Sequence, residues 1–293
     1  MASNTVSVVT DSTAALPPDL VREVGLTVVP LSVVLDDEPA TDDGPVDAEL
    51  ARALRSGGRM TTSQPPPEAF ARVYAALADR GAGTIVSVHI SGELSGTSRS
   101  AAEAARAASV PVYVVDSRTV ALGTGFAAVA AARAANAGAS VEEILTTAGD
   151  VADRSAVLFA VQDLAYLARG GRIGAAKAFL GSVLGVRPVL RVSDGKIGVA
   201  ESVRGASRAA RRLVELGLEA ARGLAPDAVD VAVHHFAAEE QANRVAADLA
   251  RGLDDEGLDH AAVVISEVTA VVGVHTGPGV LGVVVAPRAH TGD

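Results

Sequence analysis

The first half of the chain alternates short apolar runs with segments of helical periodicity. The runs are rich in β-branched residues and occupy positions 6–10, 27–35, 84–90 and 112–116. Such runs predict strands, and their lack of polar alternation favours parallel strands that are covered on both faces. The intervening segments would supply the covering helices, which predicts an α/β domain.

Two helix starts stand out in this half of the sequence. Three consecutive prolines precede Phe70, Tyr74 and Leu77, which recur at three- and four-residue steps. Proline is favoured in the first turn of a helix, so this pattern predicts a helix that begins at the prolines. Ser140 and Glu143 have the spacing of a capping box and predict a further helix from residue 141.

The second half has more strand signals and fewer helix signals. Strand-like runs occur at 155–161, 186–192, 197–203, 230–236, 261–268 and 280–286. Amphipathic patterns predict two long helices, near 205–222 and 238–252. The acidic, turn-rich segment 36–47 predicts a surface loop.

These patterns together predict an α/β protein of two domains. We expect an N-terminal Rossmann-like α/β/α domain with a parallel sheet over residues 1–160, and a C-terminal α+β domain over residues 161–293. A length of 293 residues suits two domains of ordinary size.

Composition narrows the classes of function. The formal net charge is −10, so the overall field repels a polyanion and argues against nucleic acid as a partner. The chain has no cysteine, which excludes disulfides, thiol nucleophiles and cysteine-ligated metals. No basic segment followed by a long apolar run begins the sequence, and no apolar run approaches the length of a membrane span. We therefore expect a cytoplasmic protein without a membrane span.

Several familiar motifs are missing or misplaced. The run 123–128 matches G-x-G-x-x-A, but six residues separate it from the strand 112–116, whereas a dinucleotide site needs its glycines in the turn that follows the strand. Close helix packing explains these glycines more simply. Neither a Walker phosphate loop nor a G-x-S-x-G nucleophile elbow occurs. His234 and His235 are adjacent in a predicted strand and point to opposite faces, so they cannot share a metal ion.

Four segments are rich in polar side chains, and three of them also contain glycine. Ser91–Ser100 crowds hydroxyl groups at a predicted helix start, and Thr61–Ser63 precedes another helix. His275 is followed by Gly-Pro-Gly turn residues, and Arg169 and Arg172 flank a glycine pair. A helix start rich in Ser and Thr favours an anion, but the same residues are also ordinary helix caps. Local sequence alone leaves these two interpretations open.

Six motifs in register resemble one known family. They are TDSTAAL at 10–16, TTSQP at 61–65, ISGELSGTSRSA at 90–101, VDSRTVALGTG at 115–125, YLARGGRIG at 166–174 and GVHTGPGVLGV at 273–283. The sequence resembles the DegV family of bacterial fatty acid-binding proteins over nearly its whole length. The resemblance implies a long-chain fatty acid in a tunnel between two domains. It also implies a carrier that is not itself an enzyme and needs no cofactor, and that presents the acid to a separate fatty acid kinase, which makes an acyl phosphate for lipid synthesis.

The resemblance also implies which residues form the site. Those expected to bind the fatty acid carboxylate are Ser95, Ser63 or Thr62, and His275. Those expected to contribute to phosphotransfer or to contact the partner are Arg172, Arg169, Arg204 and Thr276. The chain departs from the family pattern at Ser98 and Arg99, which replace an aromatic residue and a glutamine, and at His89, which ends the strand before LSGT.

The chemistry of a fatty acid suits this composition. Burying about 15 methylenes at ~0.8 kcal/mol each gives a gross driving force of about 12 kcal/mol before the costs of association. Only 3% of residues are aromatic and none is tryptophan, so the sequence offers an aliphatic tunnel rather than stacking platforms. Two alternatives remain: an acyl hydrolase or transferase with Ser95 as nucleophile and His275 as base, and a regulatory module that senses lipids.

Overall fold

The computed structural model describes residues 5–35, 38–41, 52–54, 56, 60–179 and 186–289. The strands are β1 (Val6–Asp11), β2 (Thr27–Val29), β3 (Ser32–Leu35), β4 (Glu38–Thr41), β5 (Met60–Ser63), β6 (Thr84–His89), β7 (Val112–Asp116), β8 (Ala156–Ala160), β9 (Val186–Ser193), β10 (Lys196–Arg204), β11 (Val229–His235), β12 (Val264–Glu267) and β13 (Leu281–Pro287). The α-helices are α1 (Pro18–Val24), α2 (Pro67–Asp79), α3 (Thr97–Ala105), α4 (Leu122–Asn136), α5 (Val141–Arg154), α6 (Ala165–Arg169), α7 (Ala206–Leu224), α8 (Glu239–Asp255) and α9 (Ala270–Thr276).

The predicted parallel sheet is confirmed. Its order is β2-β1-β6-β7, and all three pairings are parallel. Side chains alternate across it: Val9 and Ile85 pack with the cluster that includes residues of α2 and α3, whereas Val8 and Val86 pack with residues of α4 and α5. Both faces are therefore covered by helices, which explains why these strands lack a regular alternation of apolar and polar residues.

A six-stranded sheet forms the second layer of strands. Its order is β10-β9-β8-β13-β11-β12, and every pairing is antiparallel except that of β11 with β12. The predicted long helices correspond to α7 and α8, which pack against one face of this sheet. The other face shares a core with α4 and α5, through residues such as Val157 and Val284. Helices α4 and α5 thus lie between the two sheets.

Strand β8 bears on the domain division. It precedes residue 161, yet it pairs with β9 and β13 of the six-stranded sheet. We retain the division into 1–160 and 161–293 as a proposal, with β8 belonging by its hydrogen bonds to the second sheet.

The apolar run 27–35 forms two strands rather than one. Pro30 lacks the N–H that would continue the ladder of β2, and the chain turns there into β3, which joins an antiparallel three-stranded sheet with the order β4-β3-β5. The prediction of a loop over 36–47 is wrong at 38–41, where β4 forms an edge strand that tolerates Pro39. Residues 36, 37 and 42–47 lie outside the described residues.

The capping box and the helix glycines are found as predicted. Ser140 accepts a hydrogen bond from the backbone N–H of Glu143, whose side chain accepts one from the backbone N–H of Ser140. The glycine run lies inside α4, where a β-carbon on Gly125 would lie 2.9 Å from the carbonyl oxygen of Ala14. These glycines therefore permit close packing. Among the described residues, no helix has both the length and the apolar character needed to cross a bilayer.

Candidate functional site

A cavity of about 360 Å³ lies between the carboxyl ends of the parallel strands and the six-stranded sheet. Thr13, Leu31 and Ile90, which follow strands β1, β2 and β6, form part of its wall. The carboxyl edge of an open parallel sheet is where ligands commonly bind in α/β folds. Most of the remaining wall is aliphatic, including Leu94, Val271, Val280 and Val284.

One region of this cavity wall is polar. Six of the eight predicted site residues line the cavity: Thr62, Ser63, Ser95, Arg172, His275 and Thr276. They come from β5, the loop before α3, the loop after α6, and α9. The structure therefore brings together segments that are far apart in the sequence.

His275 is held by Thr62. Its Nε2 lies 2.8 Å from the Thr62 hydroxyl, and its Nδ1 is buried without a partner among the described residues. Burial, reinforced by the positive charge of Arg172, lowers the pKa of His275 to about 4. The imidazole is therefore neutral at pH 7.

Gly170 explains why the glycine pair precedes Arg172. A β-carbon on Gly170 would lie 2.1 Å from the Nδ1 atom of His275, a distance that no real contact permits. Only glycine lets the imidazole rest against the chain at this point. The motif therefore has two roles: Gly170 leaves space for His275, and Arg172 supplies a positive charge.

Arg172 brings an unmatched positive charge to the cavity. Its Nε donates to the carbonyl of Leu94 at 3.0 Å, and its Nη1 donates to the carbonyl of Gly170 at 2.6 Å. No carboxylate of the described part of the chain forms an ion pair with it, although the side chain is half-buried. A partly desolvated cation without a counter-ion favours an anionic ligand.

Ser95 lies in the loop that leads into α3. Its hydroxyl is 2.8 Å from that of Thr97, and the neighbouring Leu94 carbonyl is the group that Arg172 holds. Because Ser95 Oγ pairs with Thr97 and His275 Nε2 pairs with Thr62, the hydrogen bond between nucleophile and base that an acyl hydrolase needs is not formed.

Gln64 is a wall residue that is not among the predicted site residues. Its amide donates to the Ser100 hydroxyl at 3.0 Å, and it lies so close to Gly96 that a β-carbon there would overlap it. Gln64 thus fastens the segment after β5 to the start of α3. The only signal in the sequence was its place in the TTSQP motif, since its partner lies 36 residues away.

Arg169 and Arg204 lie outside the cavity. Arg169 places its guanidinium 4.6 Å from the ring centre of Tyr166 and lines a second cavity of about 490 Å³. The two cavities share three wall residues, Thr62, Arg172 and His275. Arg204 ends β10 and lines neither of them.

A Ser–His–Asp chain does exist, but it is buried in the parallel sheet. His89 Nδ1 lies 2.9 Å from Asp11 Oδ2, His89 Nε2 lies 2.7 Å from the Ser87 hydroxyl, and that hydroxyl lies 2.9 Å from the hydroxyl of Tyr74. All four side chains are almost fully inaccessible, and burial raises the pKa of Tyr74 to about 12. Ser87 cannot reach a substrate, so this network is structural.

His234 is a second histidine of the cavity wall. Its Nε2 accepts the N–H of Leu122 at 3.1 Å, and its Nδ1 donates to the carbonyl of Ser266 at 3.2 Å. Burial lowers the pKa of His234 to about 4, so the ring is neutral and both nitrogens are satisfied. His235 is the next residue of the same strand, and the described residues contain no cluster suited to a metal ion.

Comparisons with known proteins agree on one family. The model of the uncharacterised DegV protein family matches residues 5–288. A DegV domain-containing protein of Streptomyces coelicolor is 48% identical over 98% of this chain and 100% of its own length. Among solved structures, a fatty acid-binding DegV family protein from Thermus thermophilus is 35% identical, with a TM-score of 0.87 over 96% of this chain and 99% of the other. DegV from Bacillus subtilis, described as a fatty acid-binding protein, is 31% identical, with a TM-score of 0.84 over 97% and 99% of the two chains. Because the family model matches nearly the whole chain and a relative of full length is 48% identical, the chain belongs to the DegV family.

Proposed function

We propose that this protein binds one long-chain fatty acid in the aliphatic cavity and presents its carboxylate to a separate fatty acid kinase. The observation that carries the proposal is an aliphatic cavity with one polar region, where Thr62, Ser95, Arg172 and His275 meet. The fatty acid binding described for the relatives from Thermus thermophilus and Bacillus subtilis supports the same ligand.

The wall chemistry suits an acid with one anionic end. Hydroxyl groups of Thr62, Ser63 and Ser95 can donate to a carboxylate, and Arg172 offsets its charge. The aliphatic wall receives the methylenes, whose burial supplies most of the affinity. The polar region therefore contributes more to the orientation of the ligand than to its affinity.

The second cavity supports presentation to a kinase. It is lined by Thr62, Arg172 and His275, which also line the first cavity, and by Arg169. A carboxylate beside His275 would then be separated from the second cavity only by the residues that the two cavities share. A phosphoryl donor held by a partner can approach it through the second cavity. Arg169 is exposed there and suits an anionic group of the partner.

The first test is the ligand itself. Protein purified under native conditions is extracted with organic solvent, and the extract is analysed by mass spectrometry. Delipidated protein is then titrated with saturated and unsaturated acids of about 14–18 carbons. We expect a bound fatty acid in the extract and saturable binding in the titration. An empty extract together with unsaturable binding would refute the proposal.

Replacing Ser95 by alanine is expected to weaken fatty acid binding by ~1–2 kcal/mol. The change removes one charge-assisted hydrogen bond and leaves the tail contacts in place. Ser98→Ala is the matched control, because Ser98 stands three residues along and does not line the cavity. Equal dissociation constants for Ser95→Ala and the control would remove Ser95 from the carboxylate site.

Replacing His275 by alanine is expected to reduce acyl phosphate formation far more than binding. A neutral imidazole between the two cavities can stabilise developing charge during transfer, an effect worth about 100-fold or more in rate. Its loss leaves Thr62, Ser95 and Arg172 to bind the carboxylate. Binding is measured by titration, and turnover is measured with a purified fatty acid kinase and ATP. Losses of equal size in both assays would contradict this division of roles.

A further inference from the structure

The cavity has an aliphatic end that lies along β13. Val280, Gly282 and Val284 line it at alternate positions, as residues on one face of a strand do. Val280 follows the turn after His275, and Val284 lies four residues further along, about 13 Å at the rise of a strand. Val284 is paired with Val157 of β8, which also lines the cavity. Val157 and Val284 therefore line the part of the cavity that faces α4.

Helix α4 packs against Val157 through the backbone of Gly123, with no side chain between them. A β-carbon built on Gly123 would lie 2.8 Å from Cγ2 of Val157, and 2.4 Å from the hydroxyl oxygen of Thr119. Gly123 is fully buried in the first turn of α4, so no solvent space is available to relieve such a contact. The backbone of α4 thus sets how far Val157 can retreat from the cavity.

Val157 has little freedom of its own. It is β-branched and pairs with Val192 and Val284 on either side, which restricts both its rotamer and its backbone. A group added behind it at Gly123 would move it toward the cavity. A smaller residue in its place would extend the cavity toward α4.

We propose that Gly123 and Val157 together set the length of acyl chain that the protein accepts. The proposal rests on the proposed fatty acid binding and adds the determinant of chain length at the end opposite the carboxylate. It assigns a role to a glycine of the G-x-G-x-x-A run, which is not needed for any phosphate or nucleotide. In this arrangement, the lack of a side chain at Gly123 helps to determine which acyl chain length fits.

The test is a competition among chain lengths. Delipidated protein is equilibrated with an equimolar mixture of saturated acids of about 12–20 carbons, and the bound fraction is extracted and quantified by mass spectrometry. Each methylene that gains or loses its place in the cavity is expected to change relative binding about fourfold. Val157→Ala is expected to move the preferred length upward by about one or two carbons, and Gly123→Ala to move it downward by a similar amount.

The controls separate this proposal from the one on which it rests. Gly149→Ala is the matched glycine variant, because a β-carbon there meets nothing within 4 Å, and it should keep the wild-type profile. If Gly123→Ala does not fold, as judged by its thermal melt, Val157→Ala alone decides. A folded variant of either kind with the wild-type profile would overturn the chain-length role while leaving fatty acid binding intact. Wild-type protein that binds no fatty acid would instead refute the proposed function, and this inference with it.

Discussion

Asp11→Ala is expected to destabilise the protein by about 3–5 kcal/mol. Asp11 is fully buried, and its carboxyl group accepts hydrogen bonds from the backbone N–H groups of Thr13 and Ile90 and from the hydroxyl of Thr13. His89 adds a fourth contact, at 2.9 Å. Alanine would leave these buried donors without an acceptor, and each such donor costs roughly 1–3 kcal/mol. Chemical denaturation followed by circular dichroism measures the loss.

Asp19→Ala is the matched control for this prediction. Asp19 pairs with Arg22 at the surface, with side chains 92% and 71% exposed, so its removal should change stability only slightly. Asp11→Ala should also weaken ligand binding, because Thr13 and Ile90 line the cavity and depend on Asp11 for their positions. Equal free energies of unfolding for the two variants would show that the buried network does not stabilise the fold.

The same network shows where prediction from sequence stops. His89 appears in the sequence only as a departure from the family pattern at the end of a strand. Its partner Asp11 is 78 residues away, and the two meet because β1 and β6 are neighbours in the parallel sheet. Periodicity predicted both strands, but it could not predict which strands are adjacent or that a polar chain lies between them.

The family motifs predicted those site residues that lie within them. Thr62, Ser95 and His275 were expected together from the family resemblance, and all three line one cavity. Gln64 and His234 were missed as wall residues, because their roles depend on packing between distant segments. The protonation state of His275 was also out of reach, since it follows from burial and from the distance to Arg172.

Local backbone rules decided the remaining differences. Pro30 splits a continuous apolar run between two sheets, and an acidic, turn-rich segment includes an edge strand at 38–41. Both outcomes follow from hydrogen bonding: proline ends a ladder in one place and is tolerated at an edge in the other. A hydropathy pattern predicts neither the split of the run 27–35 nor the edge strand at 38–41, because it does not show which N–H groups have partners.

The stability of the protein is expected to fall by about 3 kcal/mol through His234 alone as the pH drops from 7 to below 4. The folded state lowers the pKa of His234 from 6.5 to about 4, because burial desolvates the ring and His235 lies beside it. Between these values the unfolded chain binds a proton that the folded chain does not. The contribution is therefore complete above pH 6.5 and is lost progressively as the pH falls toward 4.

The measurement is the free energy of unfolding in urea at intervals between pH 4 and pH 7. Glutamine at position 234 can still offer an acceptor and a donor but cannot titrate, so His234→Gln should flatten the curve by about 3 kcal/mol across this range. His275 shifts in the same direction, so the double variant with His275→Gln should be flatter still in delipidated protein. A bound carboxylate would favour the protonated form of His275 and so reduce the contribution of His275 to the pH dependence. Both nitrogens of His234 are already paired, so its contribution should be the same with and without ligand. Parallel curves for wild type and His234→Gln would contradict the lowered pKa of His234, because a protonated Nε2 cannot accept the N–H of Leu122.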